Sequence, residues 1–317
     1  MRRLVLACVI PGAFLACEGS LLGPPPPPQD GLEIVDMTAV APDVEHGFQL
    51  RAPKTVIEVG QDVQTCFVPD FDVETDLFVV RADAFQGAVG HHVQLYASAV
   101  PRHPGEVFDC SDLSTMSSML PLITPNSPAK EVDSKKQMPE GFYVRIPAGS
   151  RIVMQSHYVN YTDNPIEIAD VVNFETVDDV SDMIEANFFV LSHNTFTLPT
   201  GASRVTYECD VDTDTNLLYA MGHMHEHGTA LSVVRRNGAG PEELLYEVDA
   251  WTSAFRDDAP TNAYAPADPL VLHAGDHLTL DCDYDNATGA EIEWPHEMCV
   301  LFTAYWPARD GGFLVCE

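Results

Sequence analysis

The chain has 317 residues, 45% of them hydrophobic, and its 16 basic and 48 acidic residues give a formal net charge of −32. Because this length exceeds that of a typical domain, we predict two domains of about 150 residues each. So negative a chain repels nucleic-acid phosphates and anionic lipid headgroups, which excludes a nucleic-acid-binding protein. The acidity has two possible explanations, solubility in a saline medium or attraction of a cationic substrate.

The N-terminal residues have the pattern of an export signal. Arg2 and Arg3 precede an apolar run over residues 4–16, which is too short to cross a bilayer as a helix. We therefore predict a signal peptide over residues 1–16 and an exported protein.

The apolar run ends at Cys17 in a segment that resembles a bacterial lipoprotein box, so Cys17 is predicted to carry a lipid. Residues 17–31 include a run of prolines and form a predicted extended spacer. The expected location is a membrane surface, contacted only through this N-terminal lipid anchor, or otherwise the periplasm or the exterior.

Six further cysteines remain in the predicted mature chain, and an even number in an exported protein predicts three disulfides. Spacing alone leaves their pairing open. They are Cys66, Cys110, Cys209, Cys282, Cys299 and Cys316. Two sequons, which begin at Asn160 and Asn286, would matter only in a eukaryotic secretory pathway.

After the spacer the pattern is β throughout. Short segments rich in Val, Ile, Phe and Tyr alternate with Gly, Pro, Asp and Asn, as is typical of antiparallel sandwiches. The predicted strands are 55–59, 77–82, 92–98, 141–146, 151–158, 186–192, 204–210, 217–221, 229–235, 243–248, 277–284 and 298–306. Residues 111–120 are compatible with a short helix or an ordered loop. We predict an all-β fold of two tandem antiparallel β-sandwich (jelly-roll) domains, over 32–180 and 181–317.

Three histidines in the first half are candidate metal ligands. His91 and His92 open a predicted strand, and His157 lies near the end of another. Neighbouring side chains point to opposite faces of a regular strand, so His91 and His92 can share a metal only where the strand ends or bulges. Gly90 permits such a bulge. Each of these residues is also compatible with an ordinary surface or core histidine.

In the second half, His223 and His225 follow the predicted strand 217–221, and residues two apart share one face of an extended chain. Met298 begins a later strand and is either a core residue or a thioether ligand. A thioether is a soft, neutral ligand, so a set of two histidines and a methionine suits copper, particularly Cu(I), better than zinc or calcium. His227 is either a neighbouring residue or a spare ligand.

Taken together, four segments resemble the copper type II, ascorbate-dependent monooxygenase family, which includes peptidylglycine α-hydroxylating monooxygenase and dopamine β-monooxygenase. They are residues 90–96, 155–158, 223–225 and 297–300, in the family's order and at similar separations. The resemblance implies an enzyme that binds two copper ions and hydroxylates a C–H bond of a small molecule. O2 and ascorbate, or a similar reductant, would be its co-substrates.

The same resemblance implies ligand sets and disulfides. The electron-transfer copper would be bound by His91, His92 and His157, and the catalytic copper by His223, His225 and Met298. The implied disulfides are Cys66–Cys110, Cys282–Cys299 and Cys209–Cys316. Gln155 is either a polar neighbour of the first copper or an ordinary strand residue.

Three positions depart from the peptide-amidating members of the family, which hold a substrate carboxylate with Arg, Asn and Tyr. Here those positions are Met221, Val300 and Phe302, so the charge-assisted contact is missing. The sequence therefore predicts an apolar pocket and a small substrate that is not anchored by a carboxylate. The alternative is a non-catalytic lipoprotein that binds or buffers copper, with a different metallo-oxidase or hydrolase as a third possibility.

Overall fold

A computed structural model of the chain describes residues 32–35, 39–87, 89–125, 138–193, 195–256, 259–294, 296–309 and 314–316. Almost all regular structure within these ranges is β, which confirms the predicted fold class. The predicted signal peptide, Cys17 and the spacer lie outside the described residues. Among the described residues, no helix has the length and apolarity needed to cross a bilayer.

The first half contains thirteen strands and one short helix within the described ranges. They are β1 (Glu33–Val35), β2 (Gly47–Arg51), β3 (Thr55–Ile57), β4 (Asp62–Phe67), β5 (Leu77–Phe85), β6 (Gly90–Ser98), β7 (Val107–Asp109), α1 (Leu113–Met116), β8 (Met119–Ile123), β9 (Phe142–Ile146), β10 (Ile152–Val159), β11 (Ile166–Ile168), β12 (Val171–Val177) and β13 (Ile184–Glu185). Two five-stranded sheets result, in the orders β7-β4-β10-β6-β8 and β13-β9-β5-β12-β2, beside a small sheet β1-β11-β3.

The second half has a similar content. It comprises β14 (Asn187–His193), β15 (Thr197–Leu198), β16 (Gly201–Asp210), β17 (Thr215–Leu217), β18 (Tyr219–His223), β19 (Gly228–Asn237), β20 (Glu242–Val248), a 3₁₀ helix (Ser253–Arg256), β21 (Thr261–Ala263), β22 (Leu270–Leu272), β23 (Asp276–Asn286), β24 (Ile292–Glu293), β25 (Cys299–Trp306) and β26 (Leu314–Cys316). One sheet has the order β16-β23-β19-β20. A second has β21-β18-β25-β14-β26 with β17 and β22 at its side, and β15 pairs with β24.

Every strand predicted from the sequence overlaps an observed strand, with two local corrections. The predicted strand 217–221 is two strands, because β17 ends at Leu217 and β18 begins at Tyr219. Residues 111–120 contain both a four-residue helix and the start of β8. The boundary at residues 180 and 181 lies between β12 and β13, and the division into two domains stays a prediction.

Each half buries its own core between two sheets. In the first half, Leu95 and Met154 of one sheet pack with Val79 and Phe174 of the other. In the second half, Leu231 and Leu280 pack against Leu301 and Tyr305 in the same way. The apolar positions of β6 and β23 alternate with more exposed ones, because each strand turns one face to such a core.

The central strands follow the same order in the two halves. β10 lies between β4 and β6, as β23 lies between β16 and β19. β12 lies between β5 and β2, as β25 lies between β18 and β14. The similarity of the two β halves therefore extends to how their strands are connected.

The correspondence reaches single residues at the ends of β10 and β23. Asn160 and Asn286 each accept hydrogen bonds from a threonine two residues later, through its N–H and its hydroxyl. Their Nδ2 groups donate to backbone carbonyls, including that of the residue four positions later. The two asparagines are 0% and 1% exposed, so neither amide is accessible to glycosylation in the folded protein.

Two of the disulfides implied by the resemblance are present. Cys66 bonds to Cys110 in the first half, and Cys282 bonds to Cys299 in the second. Cys209 is also disulfide-bonded, and the side chain of its expected partner, Cys316, lies outside the described residues. Disulfides of this kind indicate an oxidising, extracytoplasmic environment.

Candidate metal centres and the cleft between the halves

The first histidine cluster forms across the neighbouring strands β6 and β10. His157 pairs with His92 and Tyr158 pairs with Gly90, so His91 is the extra residue of a β-bulge. A Cβ atom at position 90 would lie 2.3 Å from the Cβ of Gln86, which explains the glycine there. The bulge that the sequence required for two adjacent histidines to share a metal is therefore present.

The three rings face one another. The ring centroid of His157 lies 4.5 Å from that of His91 and 5.0 Å from that of His92. One ligand atom from each histidine can be chosen so that all lie within 4.8 Å of one another. His91 and His157 are buried and His92 is half-buried. The structure therefore brings His91, His92 and His157 into one possible metal site.

The nitrogen atoms of this cluster are arranged for ligation. The Nδ1 atoms of His91 and His92 are 2.8 Å apart. Asp62 Oδ1 lies 2.6 Å from His157 Nε2, and since a carboxylate only accepts, the ring proton belongs on Nε2. His157 Nδ1 is then a buried lone pair that has no hydrogen-bond partner among the described residues. A metal ion in the cluster would supply that partner.

Two pKa shifts are consistent with neutral ring nitrogens beside a charged carboxylate. The hydrogen bond from His157 lowers the pKa of Asp62, so this carboxylate is ionised at neutral pH. Desolvation by the surrounding protein lowers the pKa of His92 well below its usual value, and the other histidines add to this effect. The contributing histidines include His223 and His225 of the second half, which face His92 across the cleft.

The second cluster lies where β18 and β25 end. His223 is the last residue of β18 and pairs with Val300, while Met298 directly precedes β25. The sequence predicted that His223 and His225 share a strand face, but His225 lies beyond the strand end and approaches from the loop. Their Nε2 atoms are nevertheless 3.1 Å apart.

A backbone contact selects the ligating atom of His225. Its Nδ1 lies 3.0 Å from the carbonyl oxygen of His296, which can only accept, so the ring proton belongs on Nδ1. The Nε2 lone pair is then directed at His223 and available to a metal. Burial lowers the pKa of His225, which also favours the neutral, ligating ring.

Both clusters line one cleft between the two halves, with a cavity volume of about 510 Å³. The residues predicted to form an apolar pocket, Met221, Val300 and Phe302, line this cleft too, together with Met298. The two halves meet beside it in an apolar cluster that is formed by Phe142, Ala186, Leu218, Tyr219 and Ala304.

The cleft differs from the rest of the molecule in charge. The chain has 48 acidic residues, yet no Asp or Glu occurs among the described residues that line the cleft. Its charged lining residues in the described ranges are Arg81 and Arg256, and Arg81 is paired with Asp83 at 2.6 Å. The described walls therefore offer no carboxylate to a cationic substrate.

The sequence did not single out three charged residues beside the clusters: Asp62, Arg256 and Glu297. Arg256 is buried and contacts Glu226, the neighbour of His225, while its Nη1 lies 3.9 Å from Asp62 Oδ2 in the other half. Glu297 is fully buried behind the second cluster, and burial raises its pKa. Only Glu297 carried a signal in the sequence, because it directly precedes Met298.

The remaining candidates have defined places. Gln155 is buried and lines the cleft, where its Nε2 donates to Gln64 Oε1 at 3.0 Å and its Oε1 accepts from Tyr96. It therefore belongs to a polar network beside the first cluster. His227 is half-buried and does not line the cleft. Its backbone N–H donates to Glu297, and its carbonyl accepts from the N–H of Asp285.

Comparison with known proteins adds no assignment. No family model matches the chain, and no curated protein matches it. A solved structure of dimeric latent PorU from Porphyromonas gingivalis is similar at 9% identity and a TM-score of 0.17, over 78% of this chain and 24% of that one. The chain thus spans about a quarter of that protein's length, and a superposition this poor carries no argument about fold or function.

Proposed function

We propose that this protein is an exported, copper-dependent monooxygenase that hydroxylates a C–H bond of a small, neutral, apolar substrate. One observation carries the proposal: a cluster of three histidines and a second group, His223, His225 and Met298, line the same cleft as an apolar pocket. The four-segment resemblance to the copper type II monooxygenases supports it.

The donors fit copper. Neutral imidazoles suit both oxidation states, and a thioether favours Cu(I). The first ion would be held by His91, His92 and His157, and the second by His223, His225 and Met298. When bound, copper would supply one-electron transfer at the first site and oxygen activation at the second. The net reaction places one atom of O2 in the substrate C–H bond and reduces the other to water, with two electrons and two protons from an ascorbate-like reductant.

The chain itself would orient the substrate. Met221, Val300 and Phe302 form an apolar wall, and the ring of Phe302 lies 5.9 Å from that of His223. A substrate packed on this wall presents a C–H bond to the His223 side of the cleft. The positions that hold a substrate carboxylate in the peptide-amidating enzymes are apolar here. The described lining residues also include no acidic residue that could bind an amine. A neutral substrate is thus favoured over both a peptide and a cationic amine.

The predicted Cys17 lipid would tether the folded body to a membrane surface, with residues 17–31 as the spacer. The alternative function is a copper-buffering lipoprotein, which would need the metal ligands but no organised substrate wall.

The decisive experiment loads the full mature chain with two copper ions and measures hydroxylation with ascorbate and O2. The substrates are neutral aromatics, phenethylamines and glycine-extended peptides. Neutral aromatics should be turned over best, and Met298→Ile should reduce turnover to background while copper stays bound to the histidine cluster. Met183→Ile, a methionine that does not line the cleft, is the matched control and should keep full turnover.

Two outcomes would reject parts of the proposal. Efficient hydroxylation of the peptides would overturn the substrate class. Tight binding of two copper ions without hydroxylation of any compound would favour the buffering protein.

A further inference from the structure

A buried carboxylate lies directly behind the second cluster. Glu297 is 0% exposed and precedes the candidate ligand Met298. Its Oε1 accepts hydrogen bonds from the backbone N–H groups of His225, at 2.5 Å, and of Met298, at 3.0 Å. Its Oε2 accepts from the N–H of His227 at 3.0 Å. One side chain therefore joins two segments that are about seventy residues apart in sequence.

The position of these bonds relative to the sheet gives them a role. The ladder between β18 and β25 runs from the pair Met221–Phe302 to the pair His223–Val300 and ends there. His225 and Met298 lie beyond this last pair. Strand pairing therefore does not set the distance between the segment that follows β18 and the segment that precedes β25. At that point the Glu297 carboxylate links the two segments instead, because it accepts hydrogen bonds from the backbone N–H groups of His225 and Met298.

Neighbouring contacts hold the same residues by their carbonyl groups. The Tyr284 hydroxyl donates to the carbonyl of Met298 at 2.7 Å, and Trp251 Nε1 donates to the carbonyl of His225 at 3.1 Å. The Cys282–Cys299 disulfide fixes the residue after Met298. Glu297 completes this set by fixing the amides.

A carboxylate suits the task better than an amide. Both of its oxygens accept, so it can serve three N–H donors on two sides. A glutamine would turn one NH2 group towards a backbone N–H and would lose at least one bond. Burying such a polar group is costly unless its bonds are made, and here they are.

We propose that Glu297 is a positioning residue that sets the separation of His225 and Met298, so that the Met298 thioether can reach a copper ion held by His223 and His225. The proposal rests on the proposed copper function. A thioether is a weak ligand, so its contribution depends on being held in place.

The test compares Glu297→Gln with Asp276→Asn in the full chain. Asp276 is also a buried carboxylate of the second half that accepts a backbone N–H, from His273 at 2.8 Å, but it does not line the cleft. Both variants are loaded with Cu(I), and the copper–sulfur signal is measured by X-ray absorption together with the affinity of each site and the unfolding midpoint.

Glu297→Gln should lose the copper–sulfur signal and bind Cu(I) at the second site roughly 10–100-fold more weakly, with the histidine cluster unchanged. Asp276→Asn should lower stability and leave the copper–sulfur signal intact. Retention of that signal and of wild-type affinity in Glu297→Gln, with only a stability loss, would show a purely structural residue.

If Glu297→Gln does not fold, Glu297→Asp replaces it. Aspartate keeps both acceptors but is one methylene shorter, so it cannot reach both segments in their present positions. A weaker copper–sulfur signal is expected, and a signal and affinity equal to wild type would overturn the proposal. A wild-type protein without any copper–sulfur signal would instead reject the proposed catalytic site itself, and this inference with it.

Discussion

The two halves of the molecule share a strand order but place their candidate metal ligands on different sheets. In the first half the donors lie on the paired strands β6 and β10, at the bulge in their ladder. In the second half they follow β18 and precede β25, where the ladder has ended. The same bulge occurs in both halves, because Gly228 pairs with Tyr284 as Gly90 pairs with Tyr158. Thr229 takes the place of His91 in the second half, so the repeated frame does not dictate where a metal can bind.

This difference has a mechanical consequence. Backbone pairing places His92 opposite His157. His225 and Met298 lie outside such a pair, and side chains and a disulfide hold them instead. β12 and β25 are corresponding strands of the two halves, and a buried carboxylate lies just before each of them. Asp170 precedes β12, and Glu297 precedes β25. Glu297 binds backbone amides directly, while Asp170 accepts from Gln86 Nε2 at 2.8 Å, and this Nε2 also donates to the carbonyl of His92.

Removing each disulfide tests whether overall stability and the geometry of the second site depend on the same bond. Removing the Cys66–Cys110 bond, whose cysteines are 44 residues apart, should cost about 4 kcal/mol of unfolding free energy by loop entropy. Removing Cys282–Cys299, whose cysteines are 17 positions apart, should cost about 3 kcal/mol. Denaturant unfolding of metal-free double alanine variants measures both values.

The copper affinity of the second site should depend more on the disulfide that contributes less to stability. Loss of Cys282–Cys299 should weaken the second site, because the disulfide holds the residue next to Met298, and loss of Cys66–Cys110 should leave that site unchanged. Equal weakening of the second site by both double variants would mean that copper affinity follows overall stability, and the mechanical difference between the halves would not hold.

A pH dependence distinguishes the first half's carboxylate. Burial raises the pKa of Asp170 from its ordinary value of 3.8 to about 6. Since the folded chain binds this proton more tightly, the contribution to stability is fully present below about pH 4 and is lost as the pH rises through about 6. The unfolding free energy lost over this pH range corresponds to about 3 kcal/mol.

Asp170→Asn should therefore equal the wild type in stability near pH 4 and exceed it by about 3 kcal/mol at pH 7.5, measured by urea unfolding at both values. The exposed Asp285→Asn substitution controls for the change in net charge. A stability difference between wild type and Asp170→Asn that is the same at both pH values would rule out this titration.

The sequence predicted half of the described strands, because their apolar residues alternate with period two and turn residues separate them. It also indicated the six candidate ligands and the bulge at Gly90. Two of the missed strands have understandable causes: β4 is mostly polar along Asp62 to Gln64, and β2 begins with a glycine. Propensity describes a half-buried surface, and pairing with strands distant in sequence supplied what these segments lack.

The supporting residues could not be predicted in the same way. Asp62 meets His157 only because β4 pairs with β10, a contact that spans 95 positions. The position of His225 beyond β18 depends on where the ladder frays, which the residue pattern does not encode. Arg256 reaches both halves from a short 3₁₀ helix that had no recognisable signal.

The smallest predicted effect concerns the pair Asp62–His157. Asp62→Asn removes the charge that holds the proton on His157 Nε2, so metal affinity at the histidine cluster should fall roughly 10–100-fold. Copper affinity at the second site should stay unchanged, as should both sites in the exposed control Asp163→Asn. Isothermal titration of each site, with the other site removed by mutation, provides the measurement.

Asp62 also lies 3.9 Å from Arg256, which contacts Glu226 beside His225. Equal weakening of both sites would therefore mean that Asp62 acts through Arg256 on the contact between the halves, and the two sites would then be mechanically linked.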